Sequence, residues 1–168
     1  MTVDTEREFI ASAVRSIERT CGQRPVGWLS RYLHTENTRQ LLADAGFQYH
    51  MDDFSRDAPW LDTAVSPPML VLPYALDSND MKLWSAPALT PAAWFEYAKA
   101  SFDWLYAEAA GRERAMMSLG VHLRIIGRPG RIGAYEQFLR YAASTRDVWI
   151  TTRQEIAASK DCAKLRTL

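Results

Sequence analysis

Between Asp4 and Cys21 the apolar residues Phe9, Ile10, Ala13, Val14 and Ile17 recur at three- and four-residue intervals. That spacing predicts an amphipathic helix. Gly22 suits its left-handed cap, and Pro25 blocks its continuation. "GWLSRYLHTE" predicts a short strand and then a loop. Asn37 is placed to cap a helix through Leu41, Leu42 and Ala45, closed by Gly46. In "FQYHMD", Phe47, Tyr49 and Met51 alternate onto one face, as in a strand. "FSRDAPWLDTAVSPP" reads as loop. "MLVLPYAL" is apolar without alternation, which suits a strand covered on both faces, and the polar "DSNDMKLWSAP" leaves it as a loop. Thr90 and Pro91 form a cap and first-turn pair for a long helix ending near Gly111. Trp94, Ala98, Phe102, Leu105 and Ala109 give that helix one apolar face. "AMMSLGVHL" predicts a strand, "RIGAYEQFLRYAAS" a helix, "DVWIT" a last strand, and "TRQEIAAS" the start of a final helix.

Strands alternating with helices along the whole chain predict an α/β fold with a mainly parallel sheet. Sites in such folds gather at the C-terminal ends of strands. In "SLGVHLRIIGRPGR", His122 stands at such an end, followed by Arg124, Arg128 and Arg131. By position alone, His122 is either a proton-transfer group or a hydrogen-bonded structural histidine. The arginines either hold a planar anion, such as a carboxylate or a ureido group, or carry ordinary surface charge. Asn79 and Asp80 either recognise a polar substrate or bond their own backbone in a turn.

Composition narrows the classes. The chain has 168 residues, enough for a single domain over 1–168 with its own core. A formal net charge of zero argues against nucleic-acid or membrane-surface partners attracted by bulk charge. No apolar run approaches bilayer length, and "MTVDTEREFI" lacks an apolar signal core, so a cytoplasmic protein is expected. Cys21 and Cys162 lack metal spacing and read as reduced thiols. His50 and Asp52 share one strand face, but two ligands are too few for zinc, and no metal is predicted. The absence of G-x-G-x-x-G and of a Walker loop argues against a dinucleotide-binding domain.

Four stretches in order bear a family likeness: "TCGQRPVGWLSR", "NTRQLLADAGFQYHMDDFSRDAPW", "LVLPYALDSNDM", and "SLGVHLRIIGRPGR" with "VWITTRQEIA". Together, from about Asp4 to Ser159, they resemble the C-terminal part of the polysaccharide deacetylase-like hydrolases (carbohydrate esterase family four). The branch they look most like contains allantoinases and cyclic imide hydrolases. The resemblance implies an incomplete (β/α) barrel of the polysaccharide deacetylase type, lacking its first strands. It also implies a hydrolase of carbon–nitrogen bonds, through amide deacetylation or the opening of a cyclic ureide or imide.

Carried over residue by residue, the resemblance makes His122 a general acid toward the leaving group or an electrostatic stabiliser. Amide hydrolysis needs such a proton for the departing nitrogen. Arg31 resembles an arginine that orients an active-site acid, and Asp52 an acid that pairs with such an arginine. Trp28, Asn79, Asp80, Arg124 and Arg128 are the implied substrate-binding residues. The family's earlier "F-D-D" strand end supplies a base, and its metal-dependent members add H-x-x-x-H; neither motif occurs here. The expectation is therefore no cofactor and a chain incomplete or inactive alone. It would take a small-molecule or amino-sugar substrate only with a complementing N-terminal chain or as a homo-oligomer. The alternative is a non-catalytic remnant or a partner-dependent subunit.

Overall fold

The computed structural model describes residues 1–30, 33–111, 114–159 and 162. They form two compact units, the described residues of Met1–Pro73 with Thr152–Leu168, and Tyr74–Thr151.

The first unit opens with helix α1, Val3–Cys21. Thr2 caps it by accepting from the Thr5 amide, and Gly22 closes it at φ 69°. Phe9 and Ile17 of the predicted apolar stripe are exposed, and its buried members are Ile10 and Val14. They pack with Trp28, Leu41, Leu42, Ala43, Phe47 and Met69. The Trp28 ring meets Phe9 and Phe47 edge to face, at centroid separations of 6.0 and 5.5 Å, a geometry favoured by the ring quadrupoles.

Four short strands make the sheet: β1 (Gly27–Trp28), β2 (Tyr49–His50), β3 (Trp60–Asp62) and β4 (Met69–Val71). Their order is β1-β2-β4-β3, with the first three neighbours parallel and β3 antiparallel to β4. Every residue of β4 is buried, as its unbroken apolar run predicts. β3 corrects the reading of that stretch as loop. Its three residues are too few to alternate recognisably, and pairing across the sheet fixes them, with Trp60 opposite Val71 and Asp62 opposite Met69.

Helix α2 spans Thr38–Asp44. Asn37 precedes it as expected, but its backbone is helical and its side chain makes no capping bond. A buried carboxylate organises this helix start instead. Glu6 of α1 accepts from the Thr35 hydroxyl at 2.6 Å and from the Thr38 hydroxyl, while Thr38 Oγ1 accepts from the Thr35 amide. Gly46, at φ 77°, turns the chain after α2 into β2. The unit also holds α6, Arg153–Ala158, started by a reciprocal capping box between Thr152 and Glu155.

The second unit is helical: α3 (Pro91–Ala109), α4 (Leu123–Ile126) and α5 (Pro129–Ser144), with a 3₁₀ turn at Asp80–Leu83. Thr90 Oγ1 accepts from the Ala93 amide and Pro91 occupies the first turn, as predicted. Trp94, Ala98 and Phe102 are the buried face of α3. Trp94 packs with Leu83, Ile125 and Ile126, and Phe102 with Ala98, Phe138 and Ala142.

Several predictions for this unit need correction. Neither "AMMSLGVHL" nor "DVWIT" forms a strand among the described residues, so strands do not alternate with helices along the whole chain. Near Gly120 the backbone is engaged by loop side chains and amides rather than by a strand. Ser118 carbonyl accepts from the Ser78 hydroxyl at 2.7 Å, and Gly120 carbonyl from the Asp80 amide at 2.9 Å. The "LRII" segment, whose Leu123 falls in the predicted "AMMSLGVHL" strand, is α4, because Ile125 and Ile126 bury against Leu83 and Trp94. Among the described residues, no helix is long and apolar enough to cross a membrane.

Candidate functional site

Each unit holds a histidine–aspartate pair. In the first, β1 and β2 are parallel neighbours, so the residues just beyond their ends, Ser30 and Asp52, lie side by side. Asp52 Oδ2 accepts from the Ser30 amide at 2.6 Å and bonds His50 Nε2 at 2.9 Å. Arg39 Nε lies 3.3 Å from His50 Nδ1 and can only donate, so the network assigns the proton of the ring to Nε2. Arg39 also donates to Asp62 and, at 3.4 Å, to Asp53, and its guanidinium lies 5.3 Å from the Trp60 ring centroid. Burial alone would raise the pKa of Asp62. The hydrogen bond from Arg39, the Ala64 amide and the Arg39 charge outweigh burial and hold it below the ordinary carboxylate value. His50 and Asp52 are buried, with their polar atoms turned to one another.

The second pair is built differently. Asp80 is wholly buried at the start of the 3₁₀ turn. Its two oxygens face one residue: Oδ2 accepts from the His122 backbone amide and Oδ1 meets His122 Nδ1, each at 2.7 Å. A carboxylate only accepts, so Nδ1 carries a proton and Nε2 is the nitrogen left for chemistry. Among the described residues nothing bonds Nε2, and the His122 side chain is 27% exposed. Gly120 makes the approach possible: a Cβ there would collide with the Tyr74 hydroxyl and the Asn79 amide. This arrangement can hold an imidazole in one orientation and one tautomer while its outer nitrogen exchanges a proton.

No family model matches the chain. It is 32% identical to a Schizosaccharomyces pombe protein named "Putative polysaccharide deacetylase", over 92% of this chain and 53% of that one. Among solved structures, Puue allantoinase superposes with a TM-score of 0.86 at 39% identity, covering 94% of this chain and 53% of the other. A "probable Polysaccharide deacetylase" from Pseudomonas aeruginosa PAO1 gives 0.85 at 40% identity, with the same coverage.

In sequence and fold the chain is similar to proteins named polysaccharide deacetylase and to an allantoinase. It spans about half the length of the relatives it matches.

Against that background, the residues implied by the resemblance fall into three groups. His122 is oriented by Asp80, and Asp52 lies in the network just described. Arg31, the expected partner of Asp52, lies outside the described residues. Three of the implied substrate contacts are placed elsewhere. Trp28 is buried among aromatic rings and donates its Nε1 hydrogen to Ser30 Oγ at 2.6 Å. Asn79 is the turn-former of the alternative reading: its Oδ1 accepts from the Met81 amide and its Nδ2 donates to Tyr74, each at 2.8 Å. Asp80 supports His122 from behind and has no surface to offer a substrate. Arg124 and Arg128 line an open groove with Arg131, and His122 is not part of its wall.

Two partners were missed from sequence. Asp80 stands 42 residues before His122, and no local pattern announces the pair. Arg39 sits on a helix that reads as amphipathic, and only the fold brings it to His50, Asp53 and Asp62. Among the described residues no three His, Cys, Asp or Glu side chains form a group that could hold a metal ion. His50, the nearest approach, has Nε2 on Asp52 and Nδ1 against a guanidinium.

Proposed function

We propose that this chain supplies the acid side of a carbon–nitrogen hydrolase site, with His122 as general acid and Asp80 as its positioning residue. The observation that carries the reading is the His122 Nδ1–Asp80 contact of 2.7 Å, which leaves Nε2 to face the reaction. In such a step a base activates water, the water attacks the carbonyl carbon, and Nε2–H protonates the departing nitrogen. The 39% identity to an allantoinase supports a small cyclic ureide or imide, with an acetylated amino sugar as the second class. The role needs no metal from this chain. The base is assigned to residues outside this stretch of chain, which spans about half of each relative. The exposed free thiol of Cys21 supports a reducing, cytoplasmic setting.

The test has two arms. The purified chain alone is expected to leave allantoin, a cyclic imide and an acetylated amino sugar at background rates. Co-expression with the N-terminal half of the Schizosaccharomyces pombe relative is expected to restore turnover, and His122→Ala to abolish it. Turnover by the chain alone would overturn the assignment of the base, and restored turnover that survives His122→Ala would overturn the acid.

A further inference from the structure

One groove in the Tyr74–Thr151 unit has chemistry that the hydrolase reading does not use. Its volume is about 550 Å³ and its walls are Trp84, Pro91, Arg124, Arg128, Gly130 and Arg131, a size suited to a small molecule. Three guanidinium groups line it and no acidic side chain does, in a chain whose formal net charge is zero. Among the described residues none of the three arginines forms an ion pair. Arg131 is held in place, donating to the Ile125 carbonyl at 3.3 Å with its guanidinium 5.6 Å from the Trp84 ring centroid. Arg124 and Arg128 are exposed and able to close on a ligand. Trp84 is 67% exposed and offers a ring face beside the charge. The sixteen-residue α5 begins at Pro129 with no acid in its first turn, so its positive dipole end adds to the arginines.

The charge selects the ligand. A carboxylate has two oxygens and one charge, and a single guanidinium fork satisfies it. Three guanidinium groups and a helix start match the higher charge and the additional oxygens of a phosphoryl group. We propose that this groove binds a phosphate monoester of a planar ring, with the phosphoryl group on Arg124, Arg128 and Arg131 and the ring against Trp84. The proposal is independent of the hydrolase reading, since His122 does not line the groove.

Titration of the full chain with phenyl phosphate, inorganic phosphate and benzoate tests it, followed by amide chemical shifts at low ionic strength, where charge attraction is least screened. Saturable shifts over residues 124–132 are expected, with phenyl phosphate binding tightest and benzoate weakest. Arg124→Ala and Arg128→Ala should each weaken phenyl phosphate about tenfold, a loss on the scale of one charge-assisted contact. Arg128→Lys should retain part of the affinity, and Trp84→Ala should reduce phenyl phosphate to the level of inorganic phosphate. His122→Ala should leave all three ligands unchanged, which separates this site from the acid. Absence of saturation, benzoate binding as tightly as phenyl phosphate, or equal binding by the Arg124→Ala/Arg128→Ala double variant would overturn the proposal. So would a Trp84→Ala variant that still prefers the ring, or loss of binding in His122→Ala.

Discussion

His50 and His122 each face an aspartate, yet their surroundings give them opposite uses. His50 sits between Asp52 and Arg39, with both ring nitrogens engaged and its side chain 3% exposed. It can order its neighbours, but has no nitrogen to give a substrate. His122 engages Asp80 through Nδ1 alone, and its side chain is 27% exposed. The carboxylates reverse this distribution of partners. Asp52 gathers donors from two segments, the Ser30 amide and His50, whereas Asp80 directs both oxygens at one residue. A buried histidine–aspartate contact is thus not in itself a catalytic signature. What matters is whether the second ring nitrogen remains available.

The comparison can be broken most forcefully at the carboxylates. Asp52→Ala removes the acceptor of a backbone amide and of a buried imidazole, and should cost about 3–4 kcal/mol in the range for breaking a buried pair. Urea denaturation should show the lowered midpoint. Asp80→Ala strips the same kinds of donor, but water can reach the partly exposed His122, so about 2–3 kcal/mol is expected. A larger loss for Asp80→Ala than for Asp52→Ala would reverse the ranking and make the second pair the more structural one.

Arg39 gives a smaller effect with a pH signature. Asp62 is held below its ordinary value of 3.8. A depressed carboxylate contributes stability that is fully present above its unfolded-state value and is lost as pH falls through its folded-state value. The native chain should therefore lose stability below about pH 4, where carboxylates titrate. Arg39→Met should be about 1–2 kcal/mol less stable at neutral pH, through the loss of charged hydrogen bonds, and should respond less steeply to acid. Equal acid slopes for the two proteins would remove Arg39 from the account.

These residues also mark what could be read from the sequence. The 3.6-residue periods of α1 and α3, their caps at Gly22 and Thr90, and the apolar run of β4 are local signals, and the structure has each of them. His122 was read at a strand end, whereas it stands at the start of α4, so that position was not legible. Nor was strand β3, because three residues carry too little alternation and their partner β4 decides their state. Conversely, "AMMSLGVHL" has a strand's apolar content, yet its carbonyls at Ser118 and Gly120 bond Ser78 and Asp80. The pairing of Asp80 with His122 and the role of Arg39 escaped notice for a related reason. Their roles depend on contacts across 42 residues to His122 and 23 residues to Asp62, which no window of sequence contains.

The gentlest way to sharpen the comparison modifies the rings without removing them. Diethyl pyrocarbonate carbethoxylates an accessible imidazole nitrogen. On His122 it should react at Nε2, since Nδ1 carries its proton toward Asp80 and keeps that contact afterwards. The fold should survive, with a change in stability within about 0.5 kcal/mol, as for a surface substitution. His34 is exposed and should react as well, providing an internal standard in the same digest. His50 should stay unmodified until the chain is unfolded, because burial and Arg39 close both of its nitrogens. Peptide mass spectrometry over a reaction time course would rank the three sites. If His50 were labelled as fast as His122, the first pair would be open to solvent chemistry, and the separation between an ordering histidine and a reacting one would fail.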